Sequence, residues 1–369
     1  MSENTAKRTT CTASSGEAPG RPRQQQALER IADAQVRVGT EQPAITRADV
    51  LSAARRLDGV TVRTPVLTSA ALDERAGAEV FLKCEGLQRT GAFKLRGATN
   101  ALALLSAEEL ARGVLTYSSG NHGRALAHAA RLRSVRCVVV LPSDAPPRKR
   151  NGIADEGADL LLYDRLTVDR RQLAIAEAQR RGMRLVEPYD DLAVIAGQGT
   201  AALELFEQTS GIDVLIAPLG GGGLLAGCGV ALDGHGVMLV GAEPAAIPKG
   251  QRSLETGKRL EVRTPGHTIA DALRSPMLGR LTFPLLFARA ARTVQVTDAQ
   301  LVDAMRFAAE ELRLVCEASG VAALAAVLAG EPAFRGQRVG LILSGSNISL
   351  DDLLTYTRAG SQGGFRLHS

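Results

Sequence analysis

From about residue 46 onward, the chain alternates between short apolar runs and longer stretches with helical periodicity. The clearest helical pattern covers Asp298–Val315, where apolar residues recur every three or four positions. Strands that alternate with helices predict parallel sheets in doubly wound α/β layers. Seven apolar runs are typical of buried strands: Glu79–Cys84, Val114–Tyr117, Arg136–Leu141, Asp159–Leu162, Val214–Ala217, Val237–Ala242 and Val339–Leu343.

The two ends of the chain have a different pattern. Ser, Thr, Gly, Gln, Arg and Pro dominate up to Gln26, so residues 1–45 are predicted to form a flexible tail, with a short helix around Ala27–Val36. Thr46 followed by Asp49 predicts the start of the first helix of the ordered part. Residues 359–369 are predicted to form a C-terminal tail.

Composition narrows the class of protein. Apolar residues make up 45% of the chain and charged residues 22%, which is typical of a soluble α/β enzyme. Aromatic residues are only 3%, which argues against a surface that binds nucleic acid by base stacking. The net charge of +5 arises partly from clusters such as Arg148–Arg150 and Arg170–Arg171, which we interpret as solvated helix faces. No apolar run reaches the ~18 residues of a membrane span, so a cytoplasmic protein is expected.

The five cysteines form no CxxC pair, which gives disulfide or zinc sites little support. We expect those at 84, 137, 228 and 316 to be small core residues in a protein of a reducing compartment.

Three polar or glycine-rich segments directly follow predicted strands: Ser118–Gly123, Gly220–Gly223 and Ser344–Asn347. Ligands of doubly wound sheets lie at the carboxyl ends of the strands. The three segments are therefore predicted to meet at one site.

The glycine run Gly220–Gly223 leaves a strand and precedes a helical pattern at Leu224–Leu232. Without side chains, an anion can approach the backbone N–H groups, and the helix N-terminus adds positive partial charge. The run matches neither a Walker A motif nor a GxGxxG fingerprint. A simple tight turn is the alternative.

Lys94 lies among small and apolar neighbours, next to Phe93. A lone lysine is usually a solvated surface charge, but desolvation lowers the pKa of an ammonium group. Only the neutral amine attacks an aldehyde. Lys94 is therefore a candidate for covalent attachment of a carbonyl cofactor.

The segment Ser118–Gly123 precedes a helical pattern at Arg124–Arg131 and offers hydroxyls, an amide and free N–H groups to a substrate carboxylate. An N-cap cluster is the alternative, and we favour a structural role over a catalytic one for His122. Ser344, at the end of the last predicted strand, is either a turn residue or a neutral donor to a ring nitrogen.

Five motifs occur in the order found in one family: TGAFKLRGATNAL, SSGNHGRALAHAA, VIAGQGTAALELFEQ, GGGGLLAG and LSGSN. Between about Arg63 and Ile348, the chain resembles the threonine dehydratase and serine racemase group of pyridoxal-5′-phosphate (PLP) enzymes, which have the tryptophan-synthase-β fold, also called fold type II. The segment around Lys94 is unlike the Ser-x-Lys-Asp-Arg form of the cysteine synthases.

This resemblance implies a role for each matching residue. Lys94 matches the catalytic Schiff-base lysine, and Ser119 matches the second acid/base of serine racemase. The cofactor would be held by Phe93 at the ring, by Asn121 at the 3′-oxygen, by Ser344 at the pyridine nitrogen, and by Gly220, Gly221, Gly222, Gly223 and Leu224 at the phosphate. The substrate carboxylate would be bound by Ser118, Ser119, Asn121 and His122.

The resemblance also implies the architecture: two doubly wound three-layer α/β domains with PLP in the cleft between them. A small domain at 112–188 would be inserted into a large PLP-binding domain formed by 46–111 and 189–358. A homodimer is expected, with a small amino acid as substrate and neither nucleic acid nor membrane as partner.

The predicted function is a PLP-dependent ammonia-lyase that converts L-threonine or L-serine into a 2-oxo acid and ammonia. One alternative is a serine or amino-acid racemase. Another is a dehydratase of a different 3-hydroxy-2-amino acid, such as hydroxyaspartate or the diamino acid derived from hydroxyectoine. A PLP-binding module without catalysis is the non-enzymatic alternative.

Two positions depart from the family pattern. Glu243 matches a divalent-cation ligand of metal-activated members, but Lys249 stands where those members have Asp. Since an ammonium group repels a cation, we predict that no metal binds and that Lys249 pairs with Glu243. Ala272 stands where the group usually has Gly, and we expect it to narrow the site.

Overall fold

The structure is a computed structural model that describes residues 45–262 and 266–359. It contains a six-stranded sheet and a four-stranded sheet. The predicted tails up to residue 44 and from residue 360, the predicted helix Ala27–Val36 and Cys11 lie outside the described residues. No helix in the described ranges has both the length and the apolar character needed to cross a bilayer.

The strands are numbered in chain order: β1 Val66–Leu67, β2 Glu79–Cys84, β3 Val114–Tyr117, β4 Cys137–Pro142, β5 Asp159–Tyr163, β6 Arg184–Leu185, β7 Val214–Pro218, β8 Met238–Pro244, β9 Arg292–Val296 and β10 Arg338–Leu343.

The α-helices span Arg47–Leu57, Ala70–Ala76, Lys94–Ala103, Ala107–Arg112, Asn121–Leu132, Pro147–Ala154, Arg170–Arg181, Leu192–Thr209, Gly223–Ala231, Lys249–Thr256, Thr282–Ala288, Asp298–Glu310, Ala322–Leu328 and Leu350–Ala359. Short 3-10 helices lie at Glu85–Leu87, Asp271–Leu273 and Pro332–Phe334.

The six-stranded sheet has the order β1-β2-β10-β7-β8-β9, and all its pairs are parallel except β1 with β2. Its side chains alternate between two cores: Val214 and Ile216 of β7 face one core, while Leu215 and Ala217 face the other. Helices cover both faces, because strands that are apolar on both sides must be shielded from water on both sides. This is the predicted doubly wound, three-layer arrangement.

The four-stranded sheet has the order β5-β4-β3-β6 and is entirely parallel. Its central strand β4 also alternates, with Val139 and Leu141 in one core and Val138 and Val140 in the other. All four strands come from residues 114–185, inside the predicted small domain. The α/β fold class is therefore confirmed, while the domain boundaries themselves stay predictions.

The predicted helix Asp298–Val315 is too long, because the observed helix ends at Glu310. Arg313 has a φ of 59°, in the left-handed region, and Leu314 N donates a hydrogen bond to Ala308 O at 2.9 Å. This turn closes the helix, as in many helix C-termini. It redirects residues 314–320 toward the other strand-end segments.

One helix, Leu192–Thr209, packs against two others through glycines. A Cβ on Gly197 would lie 2.6 Å from Gly97 Cα, in the helix Lys94–Ala103. A Cβ on Gly199 would lie 2.4 Å from Gly227 O, in the helix Gly223–Ala231. Backbone therefore meets backbone at both crossings, and only glycine permits such an approach.

Candidate active site

Lys94 is the first residue of the helix Lys94–Ala103, and its neighbour Phe93 caps this helix. The Lys94 amine donates a hydrogen bond to Pro188 O at 2.7 Å and lies 5.1 Å from the centre of the Phe93 ring. The preceding Ala92 forms an isolated bridge with Gly345. The lysine is thereby held beside the segment that follows β10.

The electrostatic setting of Lys94 agrees with the reasoning from sequence. Desolvation lowers the pKa of its amine from 10.5 to about 8. A far larger fraction of Lys94 is therefore neutral near physiological pH than for a surface lysine. A neutral amine can act as a nucleophile or as a base.

A buried ion network supports the start of this helix. The guanidinium group of Arg96 makes two hydrogen bonds to Glu85, at 2.7 and 2.8 Å, and two to Glu204, at the same distances. Lys83 donates to the same Glu204 at 2.6 Å. Arg96, Glu85 and Lys83 are fully buried, so each charge needs these partners. Paired guanidinium–carboxylate contacts fix geometry as well as charge.

The glycine run follows β7 and opens the helix Gly223–Ala231, as predicted. Gly222 has a φ of +97°, and a Cβ on it would lie 2.8 Å from Thr282 Oγ1. The first N–H groups of a helix have no partners inside the helix, so they are available to an anion. The predicted glycine turn and helix start are present, and their role as a phosphate cradle stays a prediction.

Neighbouring side chains fix the cradle from both sides. Thr282 Oγ1 donates to Gly221 O at 2.7 Å. The Tyr189 ring packs against Gly221, where a Cβ would lie 2.3 Å from it. Tyr189 follows Pro188, the residue whose carbonyl holds the Lys94 amine. A short stretch of chain therefore connects the lysine to the cradle.

Asn121 is the centre of a hydrogen-bond network at the carboxyl ends of the strands. Its Nδ2 donates to Glu317 Oε1 at 2.6 Å, and its Oδ1 accepts from Asn347 Nδ2 at 2.8 Å. Glu317 N in turn donates to Gly345 O at 3.2 Å, and Phe93 N donates to Ser344 O at 3.2 Å. Two of the three strand-end segments, those after β3 and β10, therefore meet beside the lysine segment.

His122 is buried, and its Nε2 lies 3.4 Å from Val186 O. Burial, together with the charge of Lys94, lowers the pKa of His122 to about 3. His122 is therefore neutral under physiological conditions. This agrees with the structural interpretation rather than with a charged carboxylate receptor.

Glu317 was not predicted from the sequence. Desolvation and the nearby Asp271 carboxylate raise its pKa to about 7, although Asn121 stabilises its charged form. A carboxyl group that changes protonation near neutrality, in contact with a predicted cofactor ligand, is a functional candidate. A single Glu in a loop gives no periodic or motif signal, so only the fold reveals it.

A cavity of about 210 Å³ lies at the carboxyl ends of β3, β4 and β5. Ser118 and Ser119 line it together with Val140, Pro142, Tyr163, Arg165 and Arg170. Arg165 forms an ion pair with Asp144 at 2.8 Å, while the guanidinium of Arg170 lies 5.9 Å from the Tyr117 ring centre. Arg170 is exposed at the start of its helix, in agreement with the interpretation as a solvated helix face, and it also lines this cavity.

The remaining predicted residues have the following places. Leu224 is buried in the first turn of the helix after the cradle, and Ser344 is 6% exposed. Ala272 O lies 3.0 Å from where a Cβ on Gly220 would be, so Ala272 borders the cradle. Glu243 and Lys249 are both fully buried, and their charged groups lie 3.7 Å apart. The predicted pairing of Lys249 with Glu243 is thus present. The four described cysteines are buried free thiols.

Comparison with known proteins decides the family. A profile of the family described as "Pyridoxal-phosphate dependent enzyme" matches residues 57–345. This chain belongs to that family. PLP is accordingly its cofactor. A lysine with a depressed pKa and a glycine cradle at a helix N-terminus fit the aldehyde and the phosphate of this molecule.

Individual relatives cover most of this PLP enzyme. L-threo-3-hydroxyaspartate ammonia-lyases from Pseudomonas sp. and Saccharomyces cerevisiae are 45% and 41% identical to it, over 82% and 83% of this chain and 95% and 94% of theirs. The crystal structure of serine racemase from Dictyostelium discoideum is similar with a TM-score of 0.77 and 39% identity, over 83% of this chain and 99% of that one. The enzyme thus belongs among PLP-dependent ammonia-lyases and racemases.

Proposed function

We propose that this enzyme is an ammonia-lyase for 3-hydroxyaspartate, an amino acid with a β-hydroxyl and a second carboxylate. The cavity next to Ser118 and Ser119 carries the proposal, because it brings two guanidinium groups beside the segment predicted to bind the α-carboxylate. The identity to hydroxyaspartate ammonia-lyases supports it further. We therefore place this substrate ahead of threonine and serine, which the sequence alone favoured.

Arg170 is the better receptor for the second carboxylate. Arg165 is already paired with Asp144. Within residues 45–262 and 266–359, Arg170 forms no ion pair with a carboxylate, and its guanidinium lies 5.9 Å from the centre of the Tyr117 ring. Arginine binds carboxylates through two parallel hydrogen bonds, which selects for a planar anion. Serine and threonine have no group that would use this receptor.

In the proposed reaction, each of these residues would have a separate role. Lys94 would hold PLP covalently, and Gly220–Gly223 with Leu224 would hold its phosphate. When bound, PLP withdraws electrons from the α-carbon of an attached amino acid. The Lys94 amine, released by the substrate, would take the α-proton, which its depressed pKa permits.

Asn121 and Ser344 would orient the ring, and the hydroxyls of Ser118 and Ser119 would bind the α-carboxylate. Loss of the β-hydroxyl as water, followed by hydrolysis, converts 3-hydroxyaspartate into oxaloacetate and ammonia. One water is lost and one is consumed, so the reaction balances without a further reactant.

The test compares 3-hydroxyaspartate, serine and threonine in a coupled 2-oxo-acid assay. We expect kcat/KM to be highest for 3-hydroxyaspartate. Arg170→Gln should lower kcat/KM for this substrate by about 10- to 100-fold, the effect of one lost charge-assisted hydrogen-bond pair, and should leave serine nearly unchanged.

The matched control is Arg180→Gln, on the same helix, whose side chain is exposed and pairs with Glu177. It should leave kcat/KM unchanged for both substrates. If Arg170→Gln affects serine and 3-hydroxyaspartate equally, the proposed receptor is wrong. If wild-type enzyme prefers serine or threonine, the proposed substrate is wrong.

A racemase is the second candidate, favoured by the similarity to serine racemase and by the position of Ser119 in the cavity wall. Racemisation needs a second acid/base opposite Lys94, and Ser119 is the predicted group. The test is chiral analysis of the products formed from L-serine. D-serine formed by wild type but not by Ser119→Ala supports racemisation, whereas formation of the 2-oxo acid without D-serine opposes it.

A further inference from the structure

The buried amine of Lys249 joins three separate segments around the phosphate cradle. Its Nζ donates to Leu219 O at 2.7 Å and to Leu273 O at 3.2 Å, and it lies 3.7 Å from Glu243 Oε2. The Lys249 side chain has no exposed surface. A fully buried lysine is rare and needs compensating partners.

Two of these partners border the cradle directly. Leu219 immediately precedes Gly220, the first cradle residue. Leu273 follows Ala272, whose carbonyl oxygen lies 3.0 Å from where a Cβ on Gly220 would be. By binding both carbonyls at once, the Lys249 amine holds the two sides of this turn together.

Glu243 is bound by a second set of donors. Its Oε2 accepts from Gly250 N at 2.8 Å, and its Oε1 accepts from Gln251 N at 2.8 Å and from Gln295 Nε2 at 3.3 Å. The carboxylate thus stabilises the first turn of the helix that Lys249 begins. The Lys249 charge and the Glu243 charge are satisfied together within the protein.

A carboxylate and two backbone carbonyls are the oxygen ligands that Mg²⁺ and Ca²⁺ prefer. Here an ammonium group lies among them. Its Nζ donates to both carbonyl oxygens and lies 3.7 Å from the Glu243 carboxylate, a set of acceptors that suits a positively charged ammonium group. A divalent ion among the same oxygens would be repelled by this charge at short range. Within the described residues, no group of three or more His, Cys, Asp or Glu could hold a metal elsewhere.

We infer that Lys249 is a positioning residue that acts as an internal cation. It holds the phosphate cradle where metal-activated members of the family would use a divalent ion. PLP binding by this chain is accordingly independent of divalent cations. This inference concerns the cofactor site and does not depend on which amino acid is the substrate.

The first test uses the wild-type protein. PLP affinity, followed by absorbance titration, and the melting temperature are measured in EDTA, in millimolar Mg²⁺ and in millimolar Ca²⁺. We expect changes below about twofold in Kd and about 1 °C in Tm, because a ligand that does not bind the native state does not stabilise it. A clear gain in either quantity with a divalent ion overturns the inference.

The second test converts the site. Lys249→Asp would place two carboxylates, those of residue 249 and Glu243, beside the two carbonyls. Its PLP affinity and melting temperature should fall in EDTA and recover with Mg²⁺ or Ca²⁺, with a gain of about 3 °C or more in Tm. Lys258→Asp, at an exposed lysine two residues beyond the same helix, is the matched control and should show no cation response. A folded Lys249→Asp protein with wild-type affinity and no cation response contradicts the inference.

Lys249→Met decides the matter if the Asp variant does not fold. Methionine keeps most of the buried volume but removes the donor between Leu219 O and Leu273 O. We expect the Kd for PLP to rise about tenfold or more, the effect of losing charged hydrogen bonds, with no rescue by divalent ions. Wild-type PLP affinity in this variant would show that Lys249 does not position the cradle. The readouts are cofactor binding and melting, so a wrong substrate proposal would leave this result unaffected.

Discussion

The depressed pKa of Lys94 predicts a pH-dependent cost to folding of the cofactor-free protein. An unfolded lysine keeps its proton up to about pH 10.5, whereas the folded one loses it near pH 8. Between these values, the unfolded state binds more protons, so stability rises with pH. Below pH 8 the full cost is present. Lys94→Met removes the charge and therefore the cost.

The magnitude follows from the two pKa values. Their difference corresponds to about 3 kcal/mol at pH 7. Because Lys94 is only half-buried and water in the cleft screens its charge, we expect about half of this, ~1.5 kcal/mol. The effect should begin to fall near pH 8 and be largely lost by about pH 10.5. The lost hydrogen bond to Pro188 O opposes the gain by a roughly constant amount, so the trend with pH is the decisive quantity.

The assay is urea unfolding of apoenzyme and of Lys94→Met at pH 7.0, 8.0, 9.0 and 9.5. The free energy of unfolding of the variant minus that of wild type should change little between pH 7.0 and 8.0 and should fall from pH 8.0 to 9.5. Lys258→Met, at an exposed lysine, serves as the control and should give a flat line. A flat line for Lys94→Met as well would refute the reasoning that desolvation has lowered the pKa.

Three further predictions concern the glycine turn, the buried ion network around Arg96 and the carboxyl group of Glu317. Gly222→Ala, at a φ of +97° and with its Cβ 2.8 Å from Thr282 Oγ1, should weaken PLP binding about tenfold or more by titration while circular dichroism stays unchanged. Arg96→Met should lower the free energy of unfolding by about 3–5 kcal/mol in urea, because two carboxylates lose their guanidinium partner; a loss below 1 kcal/mol would contradict this. Glu317→Gln should stabilise apoenzyme by about 2 kcal/mol at pH 8 but not at pH 4.5, since the raised pKa makes the free-energy cost of this carboxyl build up between about pH 4.5 and pH 7 and remain in full above that; an equal gain at both pH values would oppose the assignment.

The sequence predicted the central strands well because their apolar runs are long and buried. It missed β1 and β6, which have two residues each, and β9, whose residues are mostly half-buried. Edge strands of this kind lack the continuous apolar signal that marks a central strand. The end of the helix at Glu310 was missed for another reason: a left-handed Arg313 has no recognisable residue preference.

For the site, the sequence singled out the lysine by its small and apolar neighbours, and it singled out the glycine run and the two polar segments because each follows a predicted strand. It could not place groups that meet only through folding. Glu317 contacts Asn121 across 196 positions of sequence. The two carbonyl partners of Lys249 could not be predicted either, because they are backbone groups that every residue has. Charge repulsion did predict its pairing with Glu243, because that argument needed only the residue types.

The glycine crossings of the helix Leu192–Thr209 have a consequence for cofactor choice. This helix touches the lysine helix at Gly97 and the cradle helix at Gly227, in both cases backbone against backbone. The distance from Lys94 to the glycine turn is thereby set by one rigid helix, because no side chain lies between the helices at either contact. The distance between Lys94 and the glycine turn should therefore be fixed. We expect PLP analogues with a phosphonate arm one bond longer or shorter to reach either Lys94 or the glycine turn, but not both.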